Sequence, residues 1–122
     1  MSSLDLARAA YDLLVNKHPE GLSRIALAKA LKTEDRVARD AVNGCRVLAA
    51  TNPKKDGSVY IIGFDPEKKV YVAARDAHQA RRVIAYQESR VKDIVQALDA
   101  QKLAFERTFG QQYQDTQQEG LF

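Results

Sequence analysis

The sequence predicts a mainly α chain with one small antiparallel β-hairpin and a long C-terminal helix. Three observations carry that expectation. Apolar residues recur at helical spacing in three capped runs before residue 43, the pattern turns extended with turn residues between short runs up to residue 74, and it turns helical again for some thirty residues from Asp76. A chain of 122 residues with 45% apolar content can bury one compact core with one or two appended elements, which rules out two full domains.

In the first run, SLDLARAAYDLLVNKHPEG, Leu6, Ala7, Ala10, Tyr11 and Leu14 share one face, Ser3 is placed to cap, and Pro19-Glu20-Gly21 stops a helix spanning roughly 4–17. In the second, LSRIALAKALK, Ser23 caps a short helix over roughly 24–32, with Ile25, Ala28 and Leu31 facing inward beside Leu22. Thr33 then offers a cap for a third helix starting at about 34. Glu34 and Asp35 suit its positive end, and Val37, Ala38, Ala41 and Val42 form its buried stripe. Asn43-Gly44 reads as a left-handed stop, while Cys45 to Ala50 can either continue the helix or begin a strand.

The segments RVLAAT, NPKKDG, SVYIIGF, DPEKK and VYVAA follow. Asn52-Pro53 with Asp56-Gly57 marks one turn and Asp65-Pro66 another, so the region reads as a two- or three-stranded antiparallel hairpin sheet. From about 76 to 108, Ala77, Ala80, Ile84, Val91, Ile94, Leu98 and Phe105 recur at spacings near three and four, interrupted by Gln87 and Gln101. The remainder, from Gly110, is glutamine-rich and reads as a flexible tail. The expected division is therefore 1–74, 75–109 and 110–122.

The net charge of +3 is unevenly distributed. Residues 24–82 hold thirteen Lys or Arg against seven Asp or Glu, an excess of six, whereas the rest of the chain holds six against nine. A basic block between acidic ends suggests a polyanionic partner contacted by the block. No apolar run is long enough to span a membrane and the first residues lack the build of a signal peptide, so a cytoplasmic location is expected. The lone Cys45 and the distant pair His18 and His78 offer no zinc-site spacing, and no metal or other cofactor is expected.

Three helices, the second and third separated by a single capping residue and followed directly by a hairpin, resemble the winged helix-turn-helix family over about residues 4–74. The resemblance implies that the third helix enters the major groove of double-stranded DNA and that the hairpin wing lies along the neighbouring backbone. Arg36, Arg39 and Asn43 would then read bases, with Asp40 beside them able to pair with either arginine. Ser23, Arg24, Lys29 and Lys32 would meet phosphates, and Lys54 and Lys55 would sit at the wing tip. Lys32 occupies a position where many members of the family have glycine.

A helix of thirty residues is about 45 Å long, more than a winged helix needs for its own core. The stripe Ile84, Val91, Ile94, Leu98 and Phe105 fits pairing with the same helix of a second copy, giving a homodimer with two reading helices. The last residues, Gln118-Glu119-Gly120-Leu121-Phe122, resemble the peptide with which bacterial polymerases and repair factors dock on the sliding clamp. That resemblance implies a polar contact from Gln118 and an apolar pocket filled by Leu121 and Phe122.

No enzymatic constellation assembles from the sequence. The glycines form no phosphate loop, Cys45 has no neighbouring histidine and falls where a small buried residue is expected, and the acidic residues are spread over separate faces. The expected function is that of a non-enzymatic DNA-binding protein of bacterial or bacteriophage type, a transcriptional regulator or an accessory factor at replicating DNA. The alternative is a protein-docking module that engages the clamp through its tail.

Overall fold

The computed structural model describes residues 2–114, so Gln118, Leu121 and Phe122 lie outside the described residues. The order is helix, helix, helix, two-stranded antiparallel sheet, long helix. The chain divides into two compact units, Met1–Gln87 and Glu88–Phe122. No helix among the described residues is long and apolar enough to cross a membrane.

In the first unit, α1 (Ser3–Asp12) starts at Ser2, not Ser3. The Ser2 hydroxyl accepts from the Asp5 amide, and the Asp5 carboxylate accepts in return from the Ser2 amide, so two otherwise orphaned donors are satisfied. The helix widens over Leu13–Lys17 into a π-turn closed by the His18 amide on the Leu13 carbonyl at 2.7 Å. Helix α2 (Arg24–Leu31) is capped by the Ser23 hydroxyl, as the sequence indicates. Leu27 and Leu31 are its buried residues, whereas Ile25, expected inside, is 76% exposed.

Helix α3 (Asp35–Thr51) runs through Asn43-Gly44 without a stop. Its buried face, Ala38, Ala41, Val42, Cys45 and Ala49, keeps helical spacing past the glycine. Gly44 is a packing residue here: a Cβ on it would lie 2.8 Å from the Cβ of Ala7, so its small size lets α1 and α3 approach. The segment RVLAAT is therefore helical, and the extended region starts later. Thr33 is not the cap of α3 either. Glu34 takes that position with extended backbone, its carbonyl accepts from the Ala38 amide, and no side chain caps the helix.

Strands β1 (Ile62–Asp65) and β2 (Val70–Ala73) pair antiparallel with Ile62 opposite Ala73 and Asp65 opposite Val70. Leu22 adds a bridge to Tyr71 on the outer edge, its amide and carbonyl both bonded to that residue at 2.9 and 2.8 Å. The core of the unit gathers Leu14, Leu27, Val42, Cys45, Ile62 and Tyr71. Helix α4 (Ala77–Phe109) begins in the first unit, where Gln79 and Val83 are buried, and the stripe residue Ala77 is exposed.

Candidate nucleic-acid interface

The junction between α2 and α3 builds the groove on which the basic residues converge. Lys32 ends α2 in the left-handed region, with φ 56° and ψ 46°. Its amide reaches the Lys29 carbonyl at 3.1 Å, and the Thr33 amide reaches the Ala28 carbonyl at 3.0 Å. This is the double carbonyl closure of a Schellman turn, usually built with glycine. It reverses the chain within two residues and starts α3 at once.

Asp35, in the first turn of α3, links that helix to the start of α2. Arg24 donates to both of its carboxylate oxygens, at 2.7 and 3.2 Å, and Arg39 approaches at 3.3 Å one turn further on. The Arg24 hydrogen bonds hold the Asp35 carboxyl below the ordinary carboxylate range. These arginines were expected on phosphate and base. The structure instead engages both with Asp35, and Asp40 takes neither Arg36 nor Arg39 as an ion-pair partner among the described residues.

Arg24, Ile25, Ala28, Lys29, Lys32, Thr33 and Asp35 line an open groove of about 460 Å³. Lys29, Lys32 and, at the start of α3, Arg36 are exposed and make no ion pair among the described residues. The outer face of α3 also presents Asp40, Asn43 and Val47. The Asn43 side-chain oxygen accepts from Arg46, whose Nε donates to the Ile62 carbonyl at 2.9 Å. Asn43 is thus tethered to the start of the sheet, with its amide NH2 remaining as a donor. Ser23, expected on phosphate, spends its hydroxyl oxygen on the α2 cap.

Lys54 and Lys55 do not stand at the tip of the hairpin. They occupy a separate turn between α3 and β1, in which the Gly57 amide donates to the Lys54 carbonyl at 2.9 Å and the Asp56 carboxylate accepts from the Ser58 amide and hydroxyl. The Lys54 ammonium lies 4.2 Å from the centre of the Tyr60 ring. The tip belongs to Pro66–Lys69, and its exposed cations are Lys68 and Lys69. Asp65-Pro66 signals that turn in the sequence. It is the hairpin tip because α3 takes up RVLAAT as far as Thr51, which leaves β1 and β2 as the two strands of the sheet.

Asp65 also anchors the hairpin, a role that sequence reading missed. Its carboxylate, fully buried, accepts from the Glu67 amide at 3.0 Å, the Gln79 side chain at 3.1 Å and Arg82 at 2.8 and 3.1 Å. Arg82 holds the Asp65 carboxyl well below the ordinary range. Arg75 closes the same end of the unit by donating to the carbonyls of Leu14 and Pro19 at 2.8 and 3.3 Å.

Of the helical stripe, Ile84 is exposed in the first unit, and Val91, Ile94 and Leu98 are exposed in the second. Phe105 is half-buried against Phe109 and Tyr113, with ring centres 5.0 and 5.6 Å apart. Cys45 is fully buried, and burial pushes its thiol up to about 12. No three His, Cys, Asp or Glu among the described residues come together as a metal-binding group. Comparison with family models, curated proteins and solved structures finds no match.

Proposed function

We propose that the first unit binds double-stranded DNA, with the exposed face of α3 toward the major groove and the groove between α2 and α3 on the phosphate backbone. The observation that carries this reading is the groove: Lys29 and Lys32 line it and Arg36 stands exposed at the start of α3, all three without an ion-pair partner among the described residues, in a chain segment carrying six excess positive charges. The hairpin tip adds Lys68 and Lys69 as backbone contacts, and the α3–β1 turn adds Lys55. Arg36 and the amide of Asn43 read bases, while Val47 offers an apolar contact suited to a thymine methyl group. Arg24 acts through Asp35 by linking α2 to α3, and Arg39 adds a contact to the same carboxylate within α3. The resemblance to winged helix-turn-helix proteins supports the same reading, and a regulator of transcription or an accessory factor at replicating DNA, cytoplasmic and of bacterial or bacteriophage type, is the corresponding role.

The test is fluorescence anisotropy of a labelled random-sequence duplex at low and physiological salt. Five phosphate contacts, from Lys29, Lys32, Lys55, Lys68 and Lys69, give a slope of log affinity against log salt of about −4.5. Removing Lys68 and Lys69 together reduces that slope by about 2. Absence of binding at low salt overturns the reading.

One observation favours a second reading. Ile25 stands 76% exposed on the same groove, and an exposed aliphatic residue between cations suits a protein segment with an apolar and acidic face. Ile25→Asp separates the two. It abolishes capture of such a partner, whereas for DNA it only weakens binding by adding one negative charge. The clamp-docking role of Gln118, Leu121 and Phe122 belongs to this second reading, and it predicts that deleting 118–122 abolishes retention on immobilised clamp.

A further inference from the structure

The second unit carries a helical face that matches itself when turned end to end. Over Glu88–Phe109, Val91, Ile94, Val95 and Leu98 are 53%, 62%, 48% and 45% exposed. With 100° per residue they fall within one arc about 100° wide, which also contains Phe105 and Phe109. Glu88 lies just beyond the Val95 edge of this arc and Lys102 just inside it, one heptad before and one heptad after Val95.

We propose that this face pairs antiparallel with the same face of a second copy, with Glu88 of each chain against Lys102 of the other. In heptad terms Val91, Leu98 and Phe105 share one seam position and Ile94 and Gln101 the other. Turning one helix end to end so that Ile94 faces Leu98 of the other copy, and Leu98 faces Ile94, places two aliphatic layers at the centre. Val91 then faces Gln101 on either side, near enough to the edge for the amide to reach water. The same register brings Val95 beside Val95 and sets both Glu88–Lys102 pairs flanking the core.

Charge complementarity selects this arrangement over the parallel one. A parallel pair in register places Arg90 beside Val95, Ala97 beside Lys102 and Ala104 beside Phe109, with no opposite charges meeting. Flanking charges of this kind set partner choice and orientation in paired helices. Lys102 already leans over the Tyr113 ring at 5.5 Å, an interaction compatible with an ion pair at its ammonium. The pairing does not depend on the DNA-binding reading, since none of its residues lies in the first unit.

Sedimentation equilibrium of the full chain over the micromolar range tests the proposal, with far-UV circular dichroism on each variant to keep helix content separate from pairing. The wild type is expected to dimerise reversibly. Lys102→Glu or Glu88→Lys replaces two attractive contacts by two repulsive ones and raises the dimer Kd about tenfold. The combined Glu88→Lys, Lys102→Glu variant restores Kd to within about threefold of wild type. A chain that stays monomeric throughout, or a combined variant as weak as either single one, overturns it. Single variants that keep the wild-type Kd overturn it as well, and that is what a parallel pair gives, because there the two residues never meet.

Discussion

Replacing Asp65 by Asn keeps the shape of the side chain and one acceptor for the Glu67 amide, but removes the charge that Arg82 grips. The two bonds from Arg82 are charge-assisted and worth about 1.5–3 kcal/mol each, and breaking one partner of a buried ion pair costs about 3–5 kcal/mol. Arg82 retains 22% exposure and has Glu67 3.1 Å away, so water and that carboxylate recover part of the loss. The net cost should be about 2–4 kcal/mol, which for a unit of this size lowers Tm by roughly 10–25 °C. Urea unfolding followed by circular dichroism measures it. The pH dependence is a second check. The folded-state carboxyl titrates below its ordinary 3.8, so its contribution is complete above that value and is lost as the pH falls through the folded value. The difference between wild type and variant should be flat from pH 7 to about 5, then shrink by about 1.4 kcal/mol per unit below 3.8. A cost under about 1 kcal/mol at pH 7, or an equal cost at pH 7 and pH 2.5, would refute the assignment of Asp65 as an ionised anchor.

Three further outcomes follow from single positions. Gly21→Ala should cost at least about 2 kcal/mol in urea unfolding, because Gly21 has φ 91° and an added Cβ would stand 2.7 Å from both the Tyr71 carbonyl oxygen and the Val70 side chain. Lys32→Gly should leave stability unchanged or raise it by up to about 1 kcal/mol, since the left-handed turn is relieved, while weakening binding to random duplex DNA and flattening its salt slope by about 1. Cys45 should resist an aromatic disulfide reagent at pH 8 in the folded chain and react at once in denaturant, because burial keeps its thiol protonated up to about 12.

The element order was readable because three- and four-residue apolar spacing survives in single segments. The mainly helical class with a small hairpin and a long last helix holds in the structure. What misled was residue chemistry whose meaning depends on a distant partner. Gly44 signals a stop by its own preference, yet it sits inside α3 because Ala7 lies against it. Arg24 and Arg39 look available for phosphate, but a third residue, Asp35, engages both. Asp65 reads only as a turn former, since nothing near it in sequence announces that Gln79 and Arg82 will close over it. Displacement of the wing tip from Lys54–Lys55 to Lys68–Lys69 is a consequence of the first of these errors.

The clasp around Asp65 bears on how the first unit opens. Two strands of four residues are too short to hold together alone in water, and their ladder is completed by a single bridge from Leu22. Because the Asp65 carboxylate bonds both its own turn and the first turns of α4, neither the hairpin nor that helix start can detach without exposing an unpartnered charge. Amide hydrogens in β2, such as that of Val72, should therefore exchange with solvent through the same event, and with the same protection, as those around Val83. The hairpin would behave as part of a larger cooperative unit, and its lysines would be presented from a rigid mount.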